Sequence, residues 1–141
     1  MSARTAFACI AVSTIVACGP KPEVPTPEEI ARWQRIADTE ILCNVGIDCE
    51  IKWGRALEWM RDFGPKPLTT VNERLIEGQF GRRSYPGARY VVTRVYAAPG
   101  IQRITFLKEC PKESCITAPF YSTELSILLT RYNFARVVLN R

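Results

Sequence analysis

The sequence predicts a single α+β domain: two N-terminal helices, a three-stranded antiparallel meander and a C-terminal helix, with the helices packed on one sheet face. Three observations predict it. Apolar residues recur at three-to-four spacing over residues 27–63 and again over 123–138, the period of a helix with one buried stripe. Between these stretches the period changes, and β-branched and aromatic residues fill three runs at 68–77, 88–97 and 101–108. Turn chemistry agrees with both, since Gly64-Pro65-Lys66-Pro67 stops the helical region and Ala97-Ala98-Pro99-Gly100 joins the second and third runs tightly. A chain of 141 residues is long enough to bury one core and needs no second domain.

Ahead of the domain, Arg4 gives a charged start, Thr5 to Ala17 an apolar run too short to span a bilayer, and Ala17 a small residue before a cut. Residues 1–17 therefore read as a secretory signal peptide. Ile15-Val16-Ala17-Cys18 resembles the lipobox of bacterial lipoproteins, a resemblance that covers the first nineteen residues. It implies lipidation at Cys18: diacylglycerol on the thiol, cleavage before the cysteine and acylation of the new amine. Each buried methylene contributes about 0.8 kcal/mol, so two or three chains make an effectively permanent anchor. By the same resemblance, Gly19 in place of an acidic residue implies the outer membrane rather than the inner. Residues 18–27 form the lipidated cysteine and a spacer, because Pro20, Pro22, Pro25 and Pro27 remove donors and favour polyproline II. At about 3.1 Å per residue this semi-rigid tether holds the domain, residues 28–141, about 25 Å from the lipid.

The first helix is predicted over about 27–42. Thr26 is its N-cap, Pro27 its first turn, and Glu29 closes a capping box; Ile30, Trp33, Ile36, Ala37 and Ile41 make its stripe. Asn44-Val45-Gly46 breaks it, and Asp48 caps a second helix to about Phe63 that buries Trp53, Ala56, Leu57, Met60 and Phe63. Ser122 caps the last helix, about 123–138, with an apolar face of Leu125, Leu128, Leu129, Tyr132, Ala135 and Leu139.

Loss of the signal removes Cys9, and Cys18 is lipidated, which leaves Cys43, Cys49, Cys110 and Cys115. An even number in an exported chain reads as two disulfides. Three pairings are possible, and the short spacings favour 43 with 49 and 110 with 115. A zinc site is disfavoured, since neither spacing suits a metal knuckle and the chain has no histidine. The formal charge of +5 drops by one with Arg4, a balance far from a nucleic-acid-binding signature.

The run Asp48-Cys49-Glu50-Ile51-Lys52-Trp53-Gly54-Arg55-Ala56-Leu57-Glu58-Trp59 is similar to a helix motif of small, uncharacterised exported proteins of the bacterial envelope. The similarity covers about Asp48 to Asn133 and implies a helix-on-sheet envelope protein, with no activity attached. Trp53 is expected on the sheet and Trp59 against the first or last helix. Between Gly78 and Lys108 there are six basic residues and no acidic one. Four of them, Arg82, Arg83, Arg94 and Arg103, form a candidate face for an anionic partner. Arg82 and Arg83 lie on a loop beside Tyr85. A four-residue turn would set Arg94 opposite Arg103, with Tyr90, Val92 and Tyr96 on the same face and Val91, Thr93, Val95, Ile104 and Phe106 on the other. The competing expectation is a solvated face whose arginines meet Glu73 or Glu77.

Catalysis has little to stand on: there is no histidine, no glycine-rich phosphate loop and no Gly-x-Ser-x-Gly elbow. The carboxylate pairs Glu28 with Glu29, Glu73 with Glu77 and Glu50 with Glu58 suit exposed faces. The sequence thus predicts a non-enzymatic, cofactor-free and metal-free lipoprotein on the periplasmic side of the outer membrane, an interaction or scaffold module. Its partners would be the membrane through the acyl chains and an envelope protein, lipopolysaccharide or peptidoglycan, and not nucleic acid. The layout resembles, without its glycine-centred motif, the family of the smallest lipoprotein subunit of the outer-membrane β-barrel assembly machinery. The alternative is a periplasmic immunity or inhibitor protein that blocks a toxin or wall hydrolase. A lipid or glycan carrier would need a deep apolar pocket, for which no apolar residues are left over.

Overall fold

A computed structural model describes residues 24–81, 87–110 and 122–140. The signal segment, Cys18, Arg82, Arg83 and Cys115 lie outside the described residues. The elements run α1 (Pro27–Ala37), β1 (Ile41–Asn44), α2 (Ile47–Phe63), β2 (Leu68–Val71), β3 (Leu75–Gln79), β4 (Arg89–Ala98), β5 (Ile101–Glu109) and α3 (Thr123–Leu139). The sheet is five-stranded and antiparallel, in the order β1-β5-β4-β3-β2, which overturns the three-stranded meander.

Two local causes account for the extra strands. The run at 68–77 folds back on itself, because the Asn72 side-chain oxygen accepts from the backbone N–H of Arg74 and of Leu75, both at 2.9 Å. An Asx turn of this kind replaces the ladder for three residues and splits one apolar run into two strands. At the other edge α1 stops at Ala37, where Thr39 turns its hydroxyl back onto the Arg35 carbonyl (2.8 Å). Ile41 and Cys43 then alternate inward with Leu42 and Asn44 outward, and Ile41 pairs with Ile104. Ile41 fits the helical stripe as well as the strand, since one residue cannot distinguish the two periods.

The α1 start has the predicted capping box: Thr26 Oγ1 accepts from Glu29 N (3.2 Å) and the Glu29 carboxylate accepts from Thr26 N (2.8 Å). Those bonds hold the Glu29 carboxyl below its usual range. Asp48, predicted as the α2 cap, lies one residue inside the helix, and the cap position belongs to Gly46 at φ 111°, a conformation open to glycine. The Asp48 carboxylate reaches back to Asn44 N (2.9 Å) and pairs with Lys52 (3.1 Å), which lowers its pKa, the backbone bond first. The disulfide Cys43–Cys49 joins β1 to the same turn of α2, the local pairing expected for these two. Cys110 is also disulfide-bonded.

Helices α2 and α3 cover one sheet face and form the core with Ile76, Val92 and Ile104. On α3 the buried residues are Ser126, Leu128, Phe134, Ala135 and Val138, of which only Leu128 and Ala135 belong to the predicted stripe, so the buried surface extends round to a second side of the helix. That breadth follows from position, because α3 is clasped between α1 and the sheet and must be apolar on more than one side. The α1 side is secured by Trp33 stacked on Tyr132 and by Arg131, which donates to the Ala37 carbonyl and pairs with Asp38. Trp59 packs against Tyr90 and Phe106 of the sheet and Phe134 of α3.

Candidate functional site

Of the arginine face expected from sequence, Arg94 and Arg103 do not come together; Arg82 and Arg83 lie outside the described residues. The β4–β5 turn takes two residues, Pro99 and Gly100, instead of four, so Ile101 pairs with Ala98 instead of Tyr96, and between Ala98 and Tyr96 the ladder then shifts by one residue. A bulge of this kind moves side chains to the other face. Arg94 therefore opposes Ile104 and points toward the helices, whereas Arg103 opposes Val95 on the uncovered face. Tyr90 and Val92 lie on the helix side with Ile104 and Phe106, not apart from them.

Arg94 is only 8% exposed. Its Nη1 donates to Glu50 Oε1 (2.8 Å), its Nε to the Glu73 carbonyl (2.8 Å), and its guanidinium lies 5.0 Å from the centroid of Trp53. It joins β4 to α2 and to the β2–β3 turn. Arg103 pairs with Glu40 at 3.0 Å, and its buried Nε finds no acceptor among the described residues. Arg89 lies between Glu77 (2.6 Å) and Glu109 (2.7 Å), which raise its pKa further, Glu77 first.

The uncovered sheet face is accordingly neutralised rather than cationic. Cross-strand rows read Leu42, Arg103 and Val95; then Thr105 beside Thr93; then Leu107 beside Val91. Val95 and Leu107 are 49% and 51% exposed on this surface.

Lys108 is the residue that the basic run concealed. It follows Ile104 and Phe106 at period two, a signal that places it on the core face. It is 4% exposed. Its Nζ donates to Ser126 Oγ and Thr130 Oγ1, both at 3.0 Å, and lies 5.7 Å from the Tyr90 ring centroid. None of the described carboxylates pairs with it, and burial pushes the amine down to about 8. A lysine of lowered pKa beside a serine is the arrangement of a base next to a nucleophile. Ser126 is wholly buried, however, and this pair cross-links β5 to α3 instead of facing a substrate.

Near Lys108, residues of α2, α3 and β4 line a cleft of about 390 Å³. Trp59 and Phe63 form one wall, Leu129 and Val137 the other, and Tyr90 the floor; Thr130, Asn133 and Arg136 add polar groups. Phe63 was expected in the core and instead is 64% exposed on this rim.

Among the described residues, no group of three or more histidine, cysteine or acidic side chains is arranged to hold a metal ion, and no helix is long and apolar enough to cross a membrane. No family model, curated protein or solved structure matches the chain.

Proposed function

We propose that the chain is an outer-membrane lipoprotein, anchored through Cys18 and facing the periplasm, whose domain is a non-enzymatic module that binds an envelope protein through the uncovered face of its sheet. The carrying observation is that Leu42 and Val95 flank Arg103 in one cross-strand row, with Leu107 two rows away on the same face, exposed side chains of strand type with no helix over them among the described residues. A patch that mixes apolar side chains with internally paired charges suits a protein surface better than a polyanion, whose phosphates or carboxylates need unpaired cations. Arg89 and Arg103 on this face already hold carboxylates. The lipobox residues and the prolines after them support the anchor.

Photo-crosslinking side chains at Val95 and at Leu107, tested in intact cells, should each give one discrete adduct with an envelope protein. The same side chain at exposed Glu58 on α2 should give none. Absence of an adduct from both sheet positions, or the same adduct from Glu58, overturns the face. Cys18→Ser should leave the chain unprocessed. A cleaved and soluble Cys18→Ser product removes the anchor.

A further inference from the structure

The cleft between α2 and α3 has the composition of a small-ligand site. Its volume of about 390 Å³ falls within the range of about 300–1,000 Å³ over which such sites occur, and its lining is mostly apolar. Trp59 and Tyr90, both nearly buried, contribute to its lining, while Phe63 keeps most of its surface in solvent at the rim. A phenylalanine held open in this way leaves apolar area that a ligand can cover.

Among the described lining residues Arg136 carries the charge, beside neutral Thr130 and Asn133. Arg136 stands at its mouth beside Asn133, and none of the described acidic side chains pairs with this arginine. Its guanidinium leans on Tyr132 at 5.8 Å to the ring centroid. Lys108 lies behind the floor, over Tyr90 and bonded to the Thr130 hydroxyl that lines the cleft. Among the described residues, no Asp or Glu contributes to the lining. A site with aromatic walls, a cation at its mouth and a second cation behind its floor favours a molecule with an apolar tail and an anionic head.

We propose that this cleft binds a single-chain fatty acid. The chain lies against Trp59, Tyr90 and Leu129, and the carboxylate meets the guanidinium of Arg136 and the amide of Asn133 at the mouth. This inference stands on the cleft alone and is independent of the anchor at Cys18 and of the sheet face.

The test is titration of the purified full chain with a bromine-bearing fatty acid, read as tryptophan quenching in a Trp33→Phe background. If the chain is acylated it is held in a phosphatidylcholine nanodisc, and otherwise in buffer. Bromine quenches on contact, and of the two remaining tryptophans only Trp59 lines the cleft. Saturable quenching of one tryptophan is expected, reversed by unbrominated decanoate. Arg136→Glu, an exposed change that leaves the core intact, should weaken binding about ten-fold or more, as loss of a charged hydrogen bond does. The methyl ester of the same brominated chain should weaken it similarly, and Val137→Phe should abolish it by filling the cleft. Quenching that does not saturate, or that is equal for acid, ester and Arg136→Glu, overturns the proposal.

Discussion

Two cations point from the same sheet face toward the helices, and their surroundings differ in kind. At one end Arg94 meets a carboxylate, a backbone carbonyl and an indole face. At the other Lys108 meets two hydroxyls and a phenol ring, next to the packed aromatics Trp59, Phe106 and Phe134. Arg94 is an ionic clamp whose partner Glu50 stays largely in water, so the pair keeps its Coulomb attraction without desolvating both ions. Lys108 is a buried amine that none of the described carboxylates pairs with, a costly arrangement unless the proton leaves. The lesson is that inward-facing cations on one sheet can have opposite effects on stability.

The aromatic end should show the largest single effect. Phe134 is 1% exposed and stacks on Phe106 at 4.7 Å between ring centroids. Phe134→Ala should cost about 4 kcal/mol by denaturant unfolding, the range for an aromatic cavity in a core. A loss under about 1 kcal/mol would mean that this end is not tightly packed.

Replacement of the amine sharpens the contrast. The folded chain gives up the Lys108 proton near pH 8 and the unfolded chain near the ordinary lysine value. Below pH 8 both states hold the proton, and the folded state bears the desolvation. Between these values only the unfolded state holds it, so stability rises with pH across that window and is flat above it. Compared with Lys108→Met, the natural chain should gain about 3 kcal/mol between pH 7 and about 10.5. Unfolding of both chains at several pH values reads the difference, and a constant gap would show that the amine is not desolvated.

Arg94→Met should go the other way at pH 7, with a loss of about 2 kcal/mol, because charged hydrogen bonds to Glu50 and to the Glu73 carbonyl vanish together. A loss under about 0.5 kcal/mol at pH 7 would show that these two bonds do not clamp the sheet to α2.

Legibility from sequence follows the same division. Features set by a few neighbouring residues were readable: the Thr26 and Glu29 box, the Ser122 cap, the Gly64-Pro65 stop and the Cys43 to Cys49 link. Features that depend on ladder register were not. The shift between Tyr96 and Ala98 carries no local signature, yet it sends Arg94 and Arg103 to opposite faces and dissolves the arginine pair. Ile41 fits either period, and Asn72 hides a turn inside a run of strand formers. The cleft was missed because Phe63 and Leu129 fit helical stripes, and periodicity shows which face is apolar without showing whether a neighbour reaches it.

A smaller effect tests whether the ionic end acts as one unit. The disulfide closes a loop of sequence separation 6 and contributes about 2 kcal/mol by the chain-entropy estimate. It also pins the first turn of α2, from which Glu50 reaches Arg94 and along which Trp53 receives the guanidinium. Without the link that turn frays, and Arg94 loses part of what it binds. Cys43→Ala with Cys49→Ala and Arg94→Met should therefore combine to less than the sum of their separate losses, by about 1 kcal/mol, the coupling expected of neighbours. The same cysteine changes combined with Lys108→Met should add without coupling, because the amine bonds to α3 and not to α2. Equal coupling in both cycles would show that the helix-facing surface responds as a whole, and that the two cations differ in partners but not in mechanical neighbourhood.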